Sequence, residues 1–206
     1  MTGQGIVVKG DYVDVIDNYI YNVGTGINIS DRPPFTRHDV NIISNYIYHC
    51  QYGMLIRGNN ILIENNEIER IYKYTTSGDA DYTRIFGVNI TVRGNYFHGT
   101  IHAETGDAHL DCIQFYSNNG EYLRNLIVEN NIFMDADQGF MCSNVEDTDT
   151  RDFIIRNNIY AHLLAWGVNF MDVGNITVYN NIFTDMISWG CLLYTSPSPR
   201  DLSTSR

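Results

Sequence analysis

Residues 98–114 gather side chains suited to acid–base chemistry: His98, His102, Glu104, Asp107, His109, Asp111 and Gln114. An imidazole such as that of His109 suits a general base or acid. Asp107 and Asp111 offer hard oxygen ligands of the kind Ca²⁺ takes, so Ca²⁺ is the candidate cofactor. Outside this segment, Arg57 and Arg84 present planar guanidinium forks that match a carboxylate. A base together with a cation held on a carboxylate is what proton abstraction beside that carboxylate requires. A carboxylate pair drawn from Asp79, Asp81, Asp107 and Asp111 would instead suit hydrolysis. Blander readings stand beside these. In one, His109 and Asp111 satisfy local backbone at a chain corner, and Lys73 with Asp79 and Asp81 reads as a solvated loop. Tyr82, Tyr116 and Tyr122 either stack on a flat ligand or cap apolar surface.

What positions these residues is a repeat. Seven times an alternating apolar strand runs into an Asn, then any residue, then Ile, Phe or Tyr, as in Val40-Asn41-Ile42-Ile43-Ser44-Asn45-Tyr46-Ile47 and Leu126-Ile127-Val128-Glu129-Asn130-Asn131-Ile132-Phe133. The recurring residues are Asn18, Asn45, Asn66, Asn95, Asn131, Asn158 and Asn181. Spacings of roughly 20 to 40 residues are those of a solenoid coil, and insertions at its corners account for the spread. Asn fits such a corner because it tolerates the left-handed conformation and can hydrogen-bond in a ladder from coil to coil.

A second pattern follows most corners, a Gly leading alternating apolar residues: Gly26-Ile27-Asn28-Ile29, Gly53-Met54-Leu55-Ile56, Gly139-Phe140-Met141-Cys142 and Gly167-Val168-Asn169-Phe170. Cys112-Ile113-Gln114-Phe115 is the variant copy. Period-two alternation turns Ile113 and Phe115 inward with Met54, Ile56, Phe140, Cys142, Val168 and Phe170. Gln114 and Tyr116 then face outward beside Leu55 and Arg57, with Arg84 from the intervening coil as a further neighbour. The longest coil, Asn95 to Asn131, carries the chemistry-bearing insert, and a second insert spans residues 72–84. In solenoids such insertions tend to mark the binding face. No window has apolar residues at helical spacing, so no helix is expected beyond a short N-terminal cap.

The repeat resembles the right-handed parallel β-helix proteins grouped around the pectate lyases, over residues 3–190. The expectation is an all-β solenoid of about seven coils, with a β-sandwich as the alternative. His109-Leu110-Asp111-Cys112-Ile113-Gln114 is similar to the His-x-Asp-x-Ile-Gln segment of β-helix lyases, epimerases and phage fibres, with Cys112 where Gly is usual. The resemblance implies a carbohydrate-active protein, a lyase or epimerase on an acidic polysaccharide. His109, Asp111 and Asp107 would be its catalytic candidates, and Gln114, Tyr116, Arg57 and Arg84 its substrate-binding ones. The alternative is a glycan-binding phage tail fibre or adhesin without catalysis, or a purely structural solenoid. The expected partner is a polysaccharide or surface glycan, met outside the cell or on a virion surface.

Bulk properties are compatible with this. The formal net charge is −11, which argues against unaided nucleic-acid binding, and no apolar run is long enough to span a membrane. Cys50, Cys112, Cys142 and Cys191 have neither metal-ligand nor disulfide-framework spacing and read as buried thiols. Residues 191–201 resemble one reading frame of a sequencing adapter, so residues 191–206 are expected to be a non-native, unstructured tail. The remaining 1–190 hold 11 basic and 23 acidic residues, a net charge of −12. Read this way the chain begins and ends within a coil, and end-to-end association through uncapped coils is expected.

Overall fold

A computed structural model describes residues 3–75, 79–117, 120–143 and 149–194. All of its sheet pairings are parallel, and they wind the chain into a β-helix with three faces. The first face holds the strands that run into each Asn, such as Val13–Ile16 and Leu123–Glu129. The second is a sheet of seven three-residue strands, from Tyr19–Tyr21 to Ile182–Thr184. The third holds the Gly-led strands, among them Thr25–Ile29, Asp111–Tyr116 and Val168–Met171. Two long strands, Tyr52–Glu64 and Asp81–Arg93, run unbroken from the third face into the next coil's first face. That continuity joins the two faces into one 13-stranded sheet. The seven asparagines enclose six complete turns, close to the expected seven coils.

The asparagine corner works by a division of labour between two residues. The left-handed conformation falls one position before the repeated Asn, at Asp17, Ser44, Asn65, Gly94, Asn130, Asn157 and Asn180. The repeated Asn is the ladder. The Asn95 side chain accepts the backbone N–H of Asn66 at 2.9 Å and its amide, also at 2.9 Å. It donates in turn to the carbonyl of Ile63 at 2.9 Å and to the Asn131 side chain at 3.0 Å. These amides are buried, so each bond satisfies a polar group that water cannot reach.

Inside, the apolar columns fall as the alternation requires. Ile113 pairs with Phe140 and Phe140 with Val168, all with no exposed surface. On the second face the inner column changes from isoleucine to stacked rings, with Phe97, Phe133, Tyr160 and Phe183 at centroid spacings of 5.0, 4.8 and 4.9 Å. The Gly leading each third-face strand lies hard against this column. A Cβ on Gly53 would stand 2.5 Å from the Tyr82 carbonyl oxygen and 2.8 Å from Ile68. The two side chains in the glycine column, Tyr82 and Cys112, belong to the two coils that carry inserts. The Tyr82 hydroxyl reaches Thr100 in the long insert of the next coil at 2.7 Å.

One expectation changes. A one-turn helix, His102–Thr105, sits inside the long insert, where no helix was expected. At the other end of the described chain, Cys191–Tyr194 pair in parallel with Val168–Met171 on the third face. Residues 195–206 and 76–78 lie outside the described residues.

Candidate functional site

The third face brings most of the candidate residues together. Gln114 pairs in register with Arg84, and Arg84 with Leu55, so three successive coils contribute one outward column. Two residues further along, Arg57, Phe86 and Tyr116 form the next column, the Arg57 guanidinium carbon lying 4.4 Å from the centre of the Phe86 ring. Phe86 is fully buried on this outward side, beneath Arg57 and edge-on to Tyr116.

Arg84 organises the centre. Its Nε donates to Asp81 at 2.6 Å, and its terminal nitrogens reach Asp79 at 3.2 Å and the Tyr116 hydroxyl at 3.3 Å. The guanidinium also lies over the Tyr52 ring, 4.7 Å from its centre. The side chain is 12% exposed and Asp81 is fully buried. This is a desolvated charge with its counter-charges supplied, the only form in which a buried arginine is tolerated.

Asp111 lies beside this pair, its backbone N–H donating to Asp81 at 3.0 Å and its carboxyl accepting the Gln114 amide at 2.9 Å. Burial, reinforced by the charges of Asp81 and Asp79, pushes the Asp111 carboxyl well above the usual carboxylate range. Burial raises Asp81 too, while Arg84 works against it. Arg84 favours the charged form of Asp81, whereas Asp111 has no bonded cation, so of the two acids Asp111 is displaced further towards its protonated form. His109 stands at the rim with about half its side chain exposed, one ring nitrogen 3.7 Å from Asp111. The Gln138 amide is 2.6 Å from the other ring nitrogen. Buried oxygens of Asp111, Gln114 and Gln138 have no hydrogen-bond partner, a pattern expected of a site that binds something polar.

Two predicted residues stand apart from this centre. Asp107 is 92% exposed and pairs with Lys73 at 2.6 Å, so no hydrogen bond or ion pair joins it to His109 or Asp111. The Ca²⁺ pair of Asp107 with Asp111 is therefore not assembled, because one member is in solvent and the other in the core. Among the described residues, the group able to close around a metal ion is Glu67, Glu69 and His98, on the second face. Arg57 stays on the binding face, paired with Glu121 at 2.6 Å. With Tyr116, Glu121 and the loop at 30–33 it lines a groove of about 360 Å³.

Sequence reasoning missed Gln138, Tyr52, Glu121 and Arg32. Gln138 and Tyr52 were within reach of a register argument, since Asp111 pairs with Gln138 and Asp81 with Tyr52. Arg32 and Glu121 lie on corner loops, which no periodicity places. A larger trough of about 430 Å³ on the first face holds one ionisable group, Asp152, bonded to Asn175 at 2.5 Å. It offers little acid–base chemistry, and the third face is the better candidate despite its smaller volume.

Parallel coils of this construction, stacked in register around one apolar core, define the class of parallel β-helix proteins. The chain belongs to the right-handed β-helix region family, which matches residues 4–200. Among solved structures it is similar to an alginate lyase from Paenibacillus sp. str. FPU-7, with 15% identity and a TM-score of 0.53 over 94% of this chain and 77% of that one. At that identity the likeness concerns the fold. No curated protein sequence matches the chain. No helix among the described residues is long and apolar enough to cross a membrane.

Proposed function

We propose that the protein is a carbohydrate-active enzyme, a lyase or epimerase that abstracts a proton beside the carboxylate of an acidic polysaccharide bound along the third face. The observation that carries this reading is a cluster drawn from three coils: His109 lies 3.7 Å from Asp111 and 2.6 Å from the Gln138 amide, Asp111 accepts the Gln114 amide, and the Asp111 backbone N–H donates to Asp81, which binds Arg84. An insert built only to close a corner would bond these groups to its own backbone. Here Gln138 comes from the following coil, and Asp81 with Arg84 from the preceding one.

In this reading His109 is the proton-transferring group, since it alone of the network is substantially open to solvent. Gln138 and Asp111 are positioning residues that fix the imidazole. Tyr116 and Gln114 contact the sugar chain, and the rim arginines meet its carboxylates. Ca²⁺ remains a proposed cofactor, although Asp107 and Asp111 do not come together to hold it, and no step here depends on it. The solved alginate lyase of similar fold acts on such a polymer, which supports the substrate class. The setting would be extracellular or a virion surface.

The test is incubation of the full chain with a panel of uronate polymers, with and without Ca²⁺. Unsaturated product is followed by absorbance and epimer content by proton NMR. Neither product from any polymer would leave the second reading, a glycan-binding fibre or adhesin. That reading has its own support, for Arg84 and Arg57 already carry carboxylate partners.

A further inference from the structure

The groove at the far end of the third face contains a cation whose charge nothing in the fold uses. Of the arginines lining it, Arg57 is held by Glu121. Arg32 is exposed and lines the same groove, yet no carboxylate approaches its guanidinium among the described residues. An unpaired arginine is ordinary on an open surface. This one sits on a loop braced by Asp31 and Phe35.

The Asp31 carboxylate accepts the backbone N–H groups of Arg32, Thr36 and Arg37 at 2.8, 2.5 and 2.6 Å. The Arg32 side chain is left out of that arrangement. Phe35 is buried and packs edge-on to Tyr122, 5.2 Å between ring centres. Its carbonyl accepts the Asn59 amide at 2.6 Å. Tyr122 belongs to the opposite corner loop, which also supplies Glu121. Each wall of the groove therefore fixes the other.

We infer that Arg32 is a specificity-determining residue, reading an anionic substituent of the glycan, a carboxylate or a sulfate ester, in a subsite apart from His109. The inference rests on the proposed function and deepens it. A guanidinium is the group that recognises a planar or tetrahedral oxyanion through paired hydrogen bonds. Asn28 and Ser30, on the same groove, supply polar partners for neighbouring hydroxyls. Asp111 and Tyr116 are five residues apart on one strand, about 16 Å at the usual rise. A chain reaching from His109 to Arg32 therefore crosses the third face over more than one sugar unit. The protein's net negative charge makes such a contact more consequential, because the field of the whole chain opposes an acidic polymer.

The experiment is affinity electrophoresis of the full chain, wild type against Arg32→Ala and Arg32→Lys, with thermal melts to verify folding. The gels carry polymannuronate, polyguluronate or polygalacturonate, the same polymers with carboxyl groups reduced to alcohols, or a sulfated neutral glucan. Arg32→Ala is expected to weaken retention by a uronate polymer about tenfold or more, the loss of a charge-assisted hydrogen bond. Arg32→Lys should fall between, and the reduced polymers should not distinguish the variants. Arg32-dependent retention by the sulfated glucan alone would identify the anion as sulfate and count against the uronate reading. Retention by a uronate polymer that Arg32→Ala leaves unchanged overturns the inference and spares the proposed function. Retention by none of the gels overturns both.

Discussion

The carboxylate of Asp81 accepts the backbone N–H of Asp111 at 3.0 Å, setting two acids from successive coils side by side beneath the third face. Arg84 inside this cluster favours the charge on Asp81, while burial and the neighbouring carboxylates push the Asp111 carboxyl up. The relationship decides both the stability of the site and its electrostatic character.

Asp111 should make stability depend on pH. Its folded pKa is raised by burial and by Asp81 and Asp79, so the folded state binds this proton more tightly than the unfolded chain. The stabilisation is full below the unfolded value of about 4 and is lost as pH rises through the folded value. Asp111→Asn keeps an oxygen for the Gln114 amide and removes the titration. Melting temperatures of the two proteins should be close near pH 4 and diverge towards neutrality, with the variant higher. A constant difference across pH would show that Asp111 does not titrate in this range.

Arg84→Met tests the other half of the cluster. It leaves Asp81 and Asp79 without their counter-charge and should cost about 3–5 kcal/mol in urea unfolding. Adding Asp81→Asn should restore most of that loss. Equal instability of the single and double variants would mean that Arg84 acts through packing on Tyr52 and Tyr116.

The asparagine ladder carries the third prediction. Asn131 donates to Asn158 and Val92 and accepts from Asn95, and it is almost fully buried. Asn131→Ala orphans several of these partners at once and should destabilise by about 3–5 kcal/mol. Asn181→Ala, at a corner open to solvent, should cost about 1 kcal/mol. Similar values for both would remove burial as the reason the ladder matters.

The ladder also marks what was legible in the sequence. The inward and outward assignment of Ile113, Gln114, Phe115 and Tyr116 followed from alternation; Arg84 was placed only as a neighbour from the intervening coil, and its register with Gln114 is a structural finding, because the insert at 72–84 breaks the count. Alternation assigned the Asn a left-handed role that belongs to the residue before it, because a corner motif shows which residues recur and not which φ each adopts. Asp107 lies two residues beyond the one-turn helix, which turns it outward to Lys73. No repeat governs that insert, so its side-chain directions depend on tertiary packing. Arg32 escaped notice for the same reason, on a loop whose shape is set by Asp31 and Phe35.

The central claim, that His109 transfers a proton on a glycan bound to the third face, is tested most directly by one initial-rate measurement. Product formation on the best uronate polymer is compared between wild type and His109→Ala at matched folding. A loss of about 10²- to 10⁴-fold, the usual contribution of a positioned acid or base, is predicted. Equal rates would contradict the account and move the chemistry away from His109.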